Sequence, residues 1–164
     1  MNEDLGPFDF HEIPDPMDSD KTPVLLHPLR RAELFKAGQD LFNEEKFFEA
    51  HEEWEKLWRF EQGRDRTFVQ GLIQVAGHFV HMQKENWSGA IRLAEKAKEK
   101  LILPPADRHY RQVDTLPIVS ALNYNVIEVE NTIANLSAEQ KAALRPKTDL
   151  ENIDISKFLI PKIF

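Results

Sequence analysis

The chain is predicted to be all-α: a compact antiparallel bundle of five or six helices behind an extended acidic N-terminal tail. Three observations carry this. Apolar residues recur at three- and four-residue spacing from Leu29 to Leu136, the period of an α-helix with one buried face. Convincing alternating strands and hairpin turns are missing from that stretch. Asn86, Asp114 or Thr115, and Ser137 stand where helices should begin, and Pro104-Pro105 and Pro146 where they should end.

Residues 1–28 hold seven acids, one base and five of the ten prolines. Acid-rich, proline-rich sequence buries too little to order itself, so this segment reads as a flexible or loosely docked tail that takes in His11 and His27. It carries −6 of the net charge of −7, and the rest of the chain, with 21 acids and 20 bases, is nearly neutral. The helical domain is placed at 29–146. Leu29–Phe42 has apolar residues at Leu34, Ala37, Leu41 and Phe42. A break at Asn43–Lys46 leads into an aromatic helix ending near Gln62-Gly63, glycine being the usual stop. Arg64–Glu85 is a long, mostly apolar helix, and Trp87–Leu103 follows with a charged, water-facing side that includes Arg92. After a loop through Val113, which holds His109 and Tyr110, comes a helix to about Leu136 with Pro117 in its first turn. Ser137-Ala138-Glu139-Gln140 is a capping box opening a short last helix. Residues 147–164 read as an apolar tail packed on the bundle.

At 164 residues and 41% hydrophobic, the chain can bury a core without crosslinks. With no cysteine, thiol catalysis, thiolate-bound zinc and disulfides are excluded. No basic start with an apolar run, and no stretch of about 20 apolar residues, is visible. The expectation is a cytoplasmic protein that engages neither membrane nor, lacking clustered bases, nucleic acid. No glycine-rich phosphate loop, serine nucleophile elbow or helix-turn-helix signature is present.

The chemistry concentrates on apolar faces. Wound at about 100° per residue, Phe47, Phe48, His51, Trp54, Glu55 and Trp58 share one side of the aromatic helix. The long helix carries a matching stripe of Gln70, Gln74, Gly77 and His81 between two apolar flanks. If the two helices are antiparallel neighbours, His51 and Glu55 could oppose Gln74 and His81. Three readings follow. His51, Glu55 and His81 could bind one divalent metal, with Glu52 supporting or holding Arg59. Glu55 and a histidine could form an acid/base pair or hold a small molecule in a pocket lined by Trp54, Trp58 and Phe47. Or the polar groups only satisfy one another and set helix register.

Phe47-Phe48-Glu49-Ala50-His51-Glu52-x-Trp54-Glu55-x-x-Trp58, then Gly71-Leu72-Ile73-Gln74-x-Ala76 with His81, then Asn86-x-x-Gly89-Ala90, resembles the uncharacterised domain-of-unknown-function family 309. The resemblance spans roughly residues 34–101 with a weaker echo at Val113-Asp114. It implies an all-helical bundle in a cytoplasmic microbial or plastid-type protein and no established reaction. It also implies that His81, not His78, is the second-block histidine. The paired helices resemble one helical hairpin of the tetratricopeptide kind, so an interaction module contacting a protein partner or a second copy is the alternative to a ligand site.

Overall fold

The computed structural model describes residues 26–102, 109–145 and 152–164, with His109 described for its backbone only. The acidic tail therefore lies outside the described residues, apart from Leu26, His27 and Pro28. These three are ordered by α1 (Pro28–Asn43): His27 Nδ1 accepts the Leu29 N–H at 3.2 Å and Pro28 opens the helix. A histidine assigned to the tail is thus a helix cap, because the first-turn N–H groups need an acceptor and a ring nitrogen can be one.

Three antiparallel hairpins follow from short links. Phe42, near the end of α1, meets Phe47 at the start of α2 (Phe47–Trp58) edge-on at 5.1 Å. Further along, the Trp54 indole donates to Phe35 O at 3.2 Å. Gly38 lets α2 come this close, since a methyl there would overlap the Trp54 ring. Against α3 (Gly63–Gln83), Phe47 stacks on Phe79 at 4.9 Å, and the Arg66 guanidinium lies over the Trp58 ring at 3.8 Å. α4 (Trp87–Leu101) returns along α3, with His78 beside Ala90 and Gly71 against Leu101. Asn86 caps α4 by accepting from Gly89 N.

The aromatic helix ends four residues before the expected Gln62-Gly63. Beyond Trp58 the chain tightens, Phe60 and Glu61 N–H groups bonding back to Leu57 O and Trp58 O, and this turn carries Glu61 inward to Arg31. Gly63, with φ of 55°, starts α3 instead of stopping α2. The expected loop through Val113 contains a two-residue antiparallel ladder, β1 (His109–Tyr110) and β2 (Val113–Asp114). Asp114 caps α5 (Thr115–Ala134) with Pro117 in its first turn, and Ser137 with Gln140 forms the full capping box of α6 (Ala138–Ala143).

The described chain is thus an all-α bundle of six helices with one short ladder. No described helix is long and apolar enough to cross a membrane. Residues 152–164 run over the helices, turning once where Phe158 N–H bonds back to Ile155 O, and bury Ile155, Phe158 and Ile163. Two asparagines grip their backbone. Asn125 donates to Leu159 O and accepts from Leu159 N, and Asn43 does the same with Ile163, all four bonds at 2.8 Å. An asparagine side chain offers the donor–acceptor pair of a peptide, so each acts as one rung of a ladder.

Candidate functional site

The aromatic helix leans its core edge, Phe47, Ala50, Trp54 and Leu57, into α1 and α3. This leaves Phe48, His51, Glu55 and Trp58 along its flank at i, i+3, i+7 and i+10, each within one turn of the next. His51 is 7% exposed, and the Glu55 side chain 18%. His51 Nε2 lies 3.0 Å from Glu55 Oε1, and Nδ1 lies 2.8 Å from Phe48 O. A carbonyl oxygen only accepts, so this pattern assigns a proton to Nδ1. The contact to Glu55 then requires a second proton, on Nε2 or on the carboxyl.

Two atoms of this flank have unused hydrogen-bonding capacity. Trp58 Nε1 is buried with no hydrogen-bond partner. Glu55 spends one oxygen on His51 and leaves Oε2 able to accept. A buried indole N–H without an acceptor costs about 1–3 kcal/mol. The Arg66 guanidinium, anchored to Trp58 O and Glu61 O, covers the indole face. At the other end Phe48 packs on the His51 ring at 4.9 Å and lines an open groove of about 570 Å³ with Glu49, Val80, Gln83 and Lys84.

The stripe on α3 turns elsewhere. His81 lies about 200° around the helix from Phe79, which faces α1 and α2. Its Nδ1 instead accepts from Asn86 Nδ2 at 2.9 Å, beside Gly89 of α4. His78 is fully buried on the same side, donating from Nδ1 to Ala90 O at 2.8 Å with Asn125 Nδ2 3.4 Å from Nε2. Burial pushes its pKa down to about 4 against the raising effect of that backbone bond, so the ring is neutral at pH 7. Gln74 is 3% exposed, and its Oε1 has no hydrogen-bond partner.

Of the expected site residues, the structure brings His51, Glu55 and Trp58 together on one flank. His81 turns its Nδ1 to Asn86 ahead of α4, and Gln74 is buried in α3 with its Oε1 unpartnered. Trp54 belongs to the core, its N–H spent on Phe35, and Glu52 points to water. The expected three-ligand metal set of His51, Glu55 and His81 is not assembled, and among the described residues no group of three or more His, Asp and Glu could hold a metal ion. Arg92, placed on the wet side of α4, has Nε and Nη2 shielded and unpartnered, which nothing in the structure explains.

Sequence reasoning missed the densest charge cluster. Glu61, 1% exposed, receives Arg31 in a fork of 2.8 and 2.6 Å and Arg111 at 3.4 Å. Asp65 takes the Tyr110 hydroxyl at 2.8 Å and lies 3.4 Å from Arg31. The Glu61 hydrogen bond raises the Arg31 pKa, while burial and then Asp65 raise that of Tyr110. All its side chains are matched, so the cluster reads as a clasp joining α1, the α2–α3 link and the β-turn. The spacings over 30 to 50 residues carry no local signal that could have announced it.

Residues 35–93 match the model of a family described as a domain of unknown function, DUF309, and the chain resembles that family over this stretch. The stretch takes in all of α2 and α3 with most of α1 and the first half of α4, and is narrower than the expected 34–101. No curated protein and no solved structure matches the chain.

Proposed function

We propose that the protein binds a small polar molecule along the flank of α2, with the His51–Glu55 pair and the Trp58 indole as its recognition groups. The single observation that carries this is the unpartnered, buried Trp58 Nε1 one turn from a carboxylate with a free oxygen. An acceptor atom on the ligand would take the indole N–H, and a donor would reach Glu55 Oε2. The matching ligand is therefore a compact molecule that carries both, such as a hydroxy, amide or amino compound. Arg66 over Trp58 supplies a rigid edge, and the groove lined by Phe48 opens at the opposite end of the flank. A purely structural cluster is the better reading for His78, His81 and Asn86, whose hydrogen bonds tie α3 to the start of α4 and to α5.

Ligand-observed NMR with a panel of small hydroxy, amide and amino compounds tests this reading. Of two variants, one removes the indole donor and the other the charge of the carboxylate. Trp58→Phe keeps the ring under Arg66 and deletes the N–H. Glu55→Gln keeps an oxygen and gives His51 an amide donor to accept. Both should melt within about 1 kcal/mol of wild type, while compounds bound by wild type lose about tenfold or more in affinity. Compounds that bind both variants as tightly as wild type would exclude this flank as the site.

A further inference from the structure

We propose that the exposed face of α5 pairs with the same face of a second copy of this chain, forming a weak two-fold dimer with the two α5 helices antiparallel. Residues 115–127 contain no charged side chain in a chain of net charge −7. Within that stretch Leu116, Tyr124 and Ile127 are 51, 41 and 56% exposed, far more than a helix buried by its own fold needs. At 100° per residue Leu116, Ser120, Asn123 and Ile127 fall within about 60° of one another, making one stripe. Ile102, 63% exposed, lies one turn beyond Lys98, whose ammonium reaches Asn123, and it extends the apolar surface.

The order of residue types along the stripe selects the occupant. Apolar Leu116 and Ile127 stand at its ends and polar Ser120 and Asn123 in its middle, so the stripe has the same chemistry read in either direction. An isologous contact requires this, because residue i must suit residue j and j must suit i. With the two-fold between residues 121 and 122, Leu116 meets Ile127 of the partner subunit and Ser120 meets Asn123 of the partner subunit. Asn123 Oδ1 is already taken by Lys98, which is neutralised by Glu95, so its Nδ2 is the donor that a serine oxygen would receive. The charges beside the stripe, Lys98 and Glu95, already pair with each other, so a face as uncharged as this one avoids burying an unmatched ion. Three helical turns span about 17 Å, so the buried area stays below that of permanent dimers and the association is concentration-dependent.

Sedimentation velocity of the full chain over a wide concentration series tests the proposal, alongside Ile127→Glu, Ser120→Glu and the double variant Leu116→Lys with Ile127→Glu. Wild type should shift from monomer to dimer as concentration rises. Each single variant should weaken the dimer by about tenfold or more, with circular dichroism and melting unchanged because the altered side chains already face water. The double variant should dimerise again, since the introduced ammonium of each copy meets the introduced carboxylate of the other at both symmetry-related contacts. A wild type that stays monomeric, a dimer indifferent to both Ile127→Glu and Ser120→Glu, or a double variant no better than Ile127→Glu would each overturn the proposal. Should Ile127→Glu melt early, Ser120→Glu alone decides whether this face is the interface.

Discussion

At the scale of single residues, histidines with nearly equal exposure do different work because their neighbours differ. His51 touches a carbonyl on one side and a carboxylate on the other, so both its ring nitrogens are engaged. His78 faces a carbonyl and an amide N–H, a pattern met by the neutral ring alone. That difference makes a prediction about acid stability. The His78 pKa is about 4 folded against about 6.5 unfolded, so below pH 6.5 the unfolded chain takes up a proton that the native chain refuses. The contribution is intact above that pH, falls as pH drops, and levels off near pH 4. At about 1.4 kcal/mol per pKa unit it amounts to roughly 3 kcal/mol. Urea unfolding of wild type and His78→Gln between pH 7 and 4 should show the stability gap between them shrinking by about that much. A constant gap would mean that the ring is not buried neutral. His51 and Glu55 were legible from sequence because i, i+4 adjacency follows from helix geometry alone. The destination of His81 was not, because a helical wheel orders faces but does not say which neighbour each face meets.

At the scale of elements, caps and breaks were readable where a single residue's chemistry decides them. Asn86, Asp114 and Ser137 each supply a side-chain acceptor to a first-turn N–H. The end of α2 was misplaced because it is governed by Glu61, whose partner Arg31 is 30 residues away. The same clasp explains the turn between β1 and β2. Arg111 and Gln112 both have positive φ, 51° and 67°, which a two-residue hairpin wants and which L-residues resist by roughly 1 kcal/mol or more each. Arg111 offsets this by bonding Glu61 and by lying over the Phe35 ring at 4.7 Å. Glu61→Ala should therefore cost on the order of 3 kcal/mol, since it strands Arg31 and Arg111 around a buried vacancy. Hydrogen exchange should also show faster opening of Tyr110 and Val113. A variant as stable as wild type would reduce the clasp to an ornament.

At the scale of the whole molecule, the helical domain places its polar groups in three separate compartments. The Glu61 clasp closes one end, the His78–Asn125 pair joins α3 to α5, and the α2 flank holds His51, Glu55 and Trp58. The C-terminal residues strap across the helices through Asn43 and Asn125, a use of asparagine that no periodicity announces. Fold class was legible because hydrophobic period and most of the helix punctuation agree, Gly63 apart. The two-sided polar cluster was not, because it required the rotation of α3, which is set by Phe47, Phe42 and Phe79 packing together. What remained on α2 after that rotation is the site proposed above. The most direct test is the ¹⁵N–¹H spectrum of protein labelled on its three tryptophan indoles, titrated with compounds that bind wild type. Trp54 spends its N–H on Phe35 O, so its signal should hold still while that of Trp58 moves downfield as its N–H gains an acceptor. A titration in which the compound binds and the Trp58 indole signal stays fixed would contradict the account.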